Sequence, residues 1–303
     1  MSTTPAPRSL LTRLVDDAAV FPPGNAPVDR AWSEHLELRR GRYADLLGPL
    51  LIGASGAANL VEAAAAAPPP EDLETGTGHG PLPIGVGVIA RPGTPVEDLL
   101  TAVESITAAD HVIVAGVELG HAEAAQAWDC VLDLGVPVAV EVPRAPETML
   151  SVLDEIAARA DANDRAIPTI AKLRTQSTPT AAVPSARELA EFLSAVRDRD
   201  LAFKLTGGLH HAVAHTVELP EGGSEDQHGV LNVLVATHFL EDGAGLTDLT
   251  ATLEMRDAEA LASLARSLDE NGVGAVRARF VSFGCCGVTD PLDDLTDLGV
   301  LPR

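Results

Sequence analysis

The chain has 303 residues, 46% of them hydrophobic but only 3% aromatic, so a large core must be built from Ala, Val, Leu and Ile. Its 44 acidic and 21 basic side chains give a formal charge of −23, which repels phosphate backbones and anionic lipid and makes nucleic acid and membrane poor partners. Three cysteines make no disulfide framework, and neither a signal-peptide core nor a run of about 20 apolar residues is visible, so a cytoplasmic protein is expected.

Short β-branched runs alternate with amphipathic stretches. Strands are expected near 15–21, 49–54, 83–90, 111–118, 136–142, 168–173, 201–206 and 276–283. Several are apolar at nearly every position, as in parallel strands covered on both faces. Helical spacing of apolar residues occupies 95–107, 121–134, 145–160 and 185–198, the last opened by a capping box of Ser185 and Glu188. Two segments break the alternation. Residues 63–80 are low-complexity and read as a surface loop; residues 207–275 are too long for one crossover and read as a loop and two helical pieces inserted after strand seven. The expectation is one α/β domain over 1–303, a single (β/α)8 TIM barrel with that insertion on its catalytic face.

Lys172 and Lys204 are the only lysines in the chain. Both fall at the carboxyl ends of consecutive strands, where barrel active sites are assembled. An ammonium, unlike a guanidinium, can lose its proton when buried or crowded by another cation. Two such groups side by side are therefore expected to push at least one pKa down and to leave a nucleophile for carbonyl carbon.

The residues around them are Ile170-Ala171-Lys172-Leu173-Arg174-Thr175 and Phe203-Lys204-Leu205-Thr206-Gly207-Gly208-Leu209. This pair of segments resembles the class I aldolases of the deoxyribose-phosphate aldolase type. The resemblance implies that Lys172 forms an iminium and that Lys204 tunes it. Leu-Arg-Thr-Gln-Ser follows Lys172 where that family carries Thr-Ser-Thr-Gly, so a phosphorylated substrate is not part of the expectation. The second segment is also similar to uncharacterised bacterial barrel proteins, which implies a fold and no reaction.

Glu118 and Glu141 end strands four and five and are candidates for proton transfer, with Asp16 or Asp17 behind them. His210 and His211 are further catalytic candidates. With His215 they are also a possible metal-ligand set, although a bound metal is not the leading expectation. Arg174, two residues after Lys172, shares its facing and suits a substrate anion, as does Arg91. Thr206, Gly207, Gly208, Ser282 and Asn232 complete the expected substrate-binding set, and the thiols of Cys285 and Cys286 read as small buried side chains. His35, His79, His111, His121 and His238 read as surface or packing residues.

The leading functional expectation is a carbon–carbon lyase, aldolase-like, acting on a small carbonyl or anionic substrate through a lysine Schiff base and needing no cofactor. One alternative is a metal-dependent hydrolase or isomerase using His210, His211 and His215. The other is a non-catalytic barrel that binds a small anion. A homo-oligomer is compatible with all three.

Overall fold

The computed structural model describes residues 4–69, 83–163, 165–219 and 222–303. Its strands are β1 (Val15–Asp17), β2 (Leu47–Gly53), β3 (Ile84–Ile89), β4 (Val112–Gly120), β5 (Val138–Glu141), β6 (Thr169–Arg174), β7 (Ala202–Thr206), β8 (His215–Glu218), β9 (Ser224–Gln227) and β10 (Phe280–Cys285). All but β8 and β9 are parallel members of one closed barrel, in which β1 pairs with both β10 and β2 and seals the sheet. The chain is thus an eight-stranded (β/α)8 barrel, and β8 and β9 form a separate antiparallel pair.

The helices are α1 (Val28–Leu38), α2 (Ala57–Ala66), α3 (Val96–Thr107), α4 (His121–Leu132), α5 (Pro146–Ala162), α6 (Ala186–Arg197), α7 (Val230–Glu241), α8 (Leu246–Glu254), α9 (Ala258–Arg266), α10 (Glu270–Arg279) and α11 (Thr289–Asp297). The capping box of α6 forms: Ser185 Oγ accepts from the Glu188 N–H at 3.2 Å while Glu188 Oε2 accepts from the Ser185 N–H at 2.7 Å. Between barrel and helices the core is aliphatic with one aromatic cluster. Phe203 stacks on Phe280 at 4.9 Å and meets the edge of Phe192 at 5.8 Å. Truncating a ring as buried as Phe203 costs about 3–5 kcal/mol.

Three larger features differ from expectation. The first strand stops at Asp17, because Asp17 Oδ1 accepts from the Ala19 N–H and Phe21 N–H turns back to Ala18 O. Residues 276–279, expected to begin strand eight, are instead the last turn of α10. That helix is opened by Asp269, which caps the Gly272 N–H, and closed by Arg277, which donates to Phe280 O and Val281 O. The segment 207–275 contains four helices, counting most of α10, rather than two helical pieces. The reason is α7, which is buried from Val230 through Thr237 and so needs apolar partners on every side. The helices α8, α9 and α10, together with α6, supply them.

The expected loop at 63–80 begins inside α2, and from residue 70 onward it lies outside the described residues, as does His79. Among the described residues no helix is long and apolar enough to cross a membrane.

Candidate active site

Alternation along each strand decides what meets inside the barrel. On β6, Lys172 and Arg174 point inward while Ala171 and Leu173 pack outward into the core. On β7, Lys204 points inward between the outward Phe203 and Leu205. The parallel register sets Lys172 directly beside Lys204 and beside Glu141 of β5. Adjacent residues on β1 separate: Asp16 faces the barrel axis, whereas Asp17 faces α1 and meets the buried His35 ring at 2.9 Å.

The inward groups form a line of alternating charge. Ser282 Oγ donates to Asp16 Oδ2 at 2.7 Å, and Lys204 Nζ donates to the same oxygen at 2.7 Å. Lys204 also donates to Glu118 Oε1. Lys172 Nζ stands 2.9 Å from Glu118 Oε2 and 3.0 Å from Glu141 Oε2. Both contacts are ion pairs. Arg174 closes the line with a two-pronged grip on Glu141, at 3.0 and 3.2 Å. Asp16, Glu118, Lys172 and Lys204 are all buried. Ionised side chains are tolerated at such depth because each carboxylate has a cation and each cation a carboxylate.

These contacts set the protonation states. Burial works against the charged form of Glu118, but its two lysines outweigh this and hold its pKa at about 2. Glu141 is likewise lowered against its burial, by Lys172 and Arg174. Asp16 goes the other way: burial raises its pKa by more than Lys204 and Ser282 lower it. For Lys204 burial disfavours the ammonium, yet Asp16 and Glu118 prevail and raise its pKa above the ordinary lysine value. At least one of the two lysines is expected to have a lowered pKa, and Lys204 shifts the other way. A carboxylate stands between the two ammonium groups and converts repulsion into bridging.

Above the line, at the carboxyl ends of the strands, lies a cavity of about 750 Å³. Lys172, Glu141, Arg174, Arg91, Thr206, Gly207 and His210 line it. Arg91 sits over the Phe21 ring, 5.1 Å from its centroid. Gly207 has φ +70°, and a β-carbon there would come within 2.6 Å of the Gln176 side chain, so the loops after β6 and β7 close only over glycine.

The other expected site residues fall elsewhere. Lys204 and Glu118 lie beneath this cavity without lining it, and Ser282 is bound to Asp16 at the same depth. Gly208 packs against the Thr175 backbone and does not line the cavity. Asn232 is a buried clip on α7: it donates to Thr252 O and Met255 O and accepts from the Ala214 N–H, joining three segments. Its polarity serves otherwise unpaired backbone groups. His211 is half-exposed, 3.0 Å from Asp294 and T-stacked on His215, outside the cavity. His228 is buried against Pro184 O at 2.7 Å.

His210 is held between the thiols, 3.4 Å from Cys285 Sγ and 3.7 Å from Cys286 Sγ. Burial lowers the His210 pKa and raises both thiol pKa values, which favours neutral imidazole and protonated sulfur. Among the described residues no group of three or more His, Cys, Asp or Glu side chains is arranged to hold a metal ion. Among the described residues of segment 207–275, only Gly207 and His210 line the cavity. The loop 176–180 and Glu123 also line it without having been expected there, and Phe21 and Pro22 after β1 and Cys286 after β10 complete the rim. Loop residues after a strand carry no periodic signal, so only their position after β6 hinted at such a role.

No family model and no curated protein matches this chain. Among solved structures it is similar to a deoxyribose phosphate aldolase from Aeropyrum pernix, described as a unique tetramer, with 12% identity and a TM-score of 0.48 over 95% of this chain and 92% of that one. It is also similar to QR15, an aldolase, with 10% identity and a TM-score of 0.46 over 97% of this chain and 99% of that one.

Proposed function

We propose that this protein is a carbon–carbon lyase of the aldolase type, acting on a small carbonyl compound through an iminium at Lys172. The observation that carries the reading is that the one lysine lining the C-terminal cavity stands 2.9 and 3.0 Å from two carboxylates. Iminium formation replaces one positive nitrogen by another: ammonium and carbonyl give iminium and water, with no net gain or loss of protons. The charge that Glu118 and Glu141 neutralise is therefore kept across the step. A carboxylate need only take a proton from the ammonium and return it to the carbinolamine hydroxyl, which leaves as water.

Glu141 reaches both Lys172 and the cavity and fits this shuttle. In cleavage it accepts the proton of the substrate hydroxyl while the breaking C–C bond delivers its electron pair to the iminium, giving an enamine and a free carbonyl product. Arg174 holds Glu141 in place. Arg91 and Arg174 favour a substrate carrying an anionic group, since guanidinium binds carboxylate in a planar fork.

The test is borohydride reduction in the presence of a panel of small aldehydes and ketones, followed by peptide mass spectrometry. A reduced adduct on Lys172 that is lost in Lys172→Arg is the expected result. Absence of an adduct on either lysine across a broad panel that includes a turned-over substrate would sink the reading.

A further inference from the structure

A second cavity, of about 560 Å³, enters the barrel from the opposite, N-terminal end. Parallel barrels ordinarily fill this level with layers of branched side chains. Here the small Gly87, Ala115, Ala139 and Ala202 interrupt branched residues such as Leu51 and Ile170 in the wall, and the space is left open. Pro49, Ala115 and Ala202 line it and are only half-buried, which fits access from the solvent. A volume of this size has room for several water molecules, each of about 30 Å³ in the liquid.

The inner end of this cavity is the charged line itself. Asp16, Glu118, Lys204 and Ser282 border it, whereas Lys172 and Glu141 border only the C-terminal cavity. Arg277 frames the outer rim, where its guanidinium ties Thr12 O to Phe280 O and Val281 O. The groups facing Lys204 are therefore Asp16 from β1, Glu118 from β4 and Ser282 from β10, with Lys172 beside it on β6.

We propose that the N-terminal cavity is a second solvent approach to the charged line, through which Lys204 and Asp16 exchange protons with bulk water independently of the cavity that exposes Lys172. The exchange is balanced. A proton passes from the ammonium of Lys204 to water or to Asp16, and another returns from the solvent side, with no other bond made or broken. Asp16 suits the port position because, of the three carboxylates, its pKa alone is raised, by burial, so it accepts a proton more readily than Glu118 or Glu141.

With only two lysines in the chain, selective 15Nζ labelling gives one ammonium signal for each, and their solvent-exchange rates are measured by NMR without any substrate. The outcome therefore does not depend on the aldolase reading. In the unsubstituted protein, Lys204 is expected to exchange within seconds; protection lasting hours overturns the proposal. Filling the cavity by Ala202→Leu, or from another strand by Ala115→Phe, is expected to slow Lys204 exchange about tenfold or more and to leave Lys172 within about twofold. An unchanged Lys204 rate in a folded filled variant, or an equal slowing of both lysines, also overturns it.

Discussion

Lys172 and Lys204 stand side by side on neighbouring strands and share Glu118, yet they belong to opposite ends of the barrel. Lys172 borders the C-terminal cavity, and its second carboxylate, Glu141, is only partly buried and also held by Arg174. Lys204 lies deeper, between Glu118 and an Asp16 that it bonds directly and that also feels the charge of Arg277. Identical side chains thus acquire different surroundings from their carboxylates: one opens onto a cavity, the other is enclosed among buried charges.

The largest expected effect breaks that balance. Lys204→Leu takes from Asp16 its directly bonded cation and leaves only the more distant Arg277, so urea unfolding at neutral pH should show a loss of about 3–5 kcal/mol. Lys172→Leu should cost less, about 1–3 kcal/mol, because Glu118 keeps Lys204 and Glu141 keeps Arg174. Equal losses would erase the distinction between the two lysines.

Acid titration sharpens the same comparison. Glu118 has a folded pKa of about 2 against an ordinary 4.5. Its stabilisation is therefore fully present above pH 4.5 and is lost as the pH falls from there towards 2, a change of about 3 kcal/mol. The raised pKa of Asp16 acts in the opposite sense, since the folded state then holds the proton more tightly and gains stability as pH falls. Unfolding free energies measured from pH 5 to pH 2 should fall less steeply in Glu118→Gln, with the remaining slope carried by other lowered carboxylates such as Glu141; a slope equal to that of the parent would remove Glu118 from this role.

Two smaller effects mark the boundary of the site. Asn232→Ala should cost about 1–3 kcal/mol through unpaired backbone groups and leave borohydride trapping at Lys172 unchanged. Arg91→Ala should move stability by about 0.5 kcal/mol or less. If Arg91 contacts substrate, this variant should weaken trapping by a carboxylate-bearing ketone more than by a neutral one, and equal weakening would exclude anion recognition there.

Much of the barrel was legible in the chain because strand and helix periods are local. The inward pairing of Lys172 with Arg174 followed from alternation alone, and so did the capping box at Ser185. The site was legible in part. Lys172, Glu141, Arg174, Arg91, Thr206, Gly207 and His210 do line one cavity. Asn232, Gly208 and His211 were drawn in by closeness to Lys204 along the chain. Their actual partners, at Thr252, Thr175 and Asp294, are set by packing that no local pattern records.

The sequence alone determined which side chains have chemistry to offer: two lysines in a chain otherwise supplied with arginine, each on a strand whose alternation turns it inward. Only the tertiary structure decided what those lysines face. Barrel closure brings Asp16 from one end of the chain and Glu118 from its middle to the same nitrogen. Coulombic attraction across that junction, not lysine–lysine repulsion, then governs Lys204, and such a contact between distant segments exists only once the strands have closed.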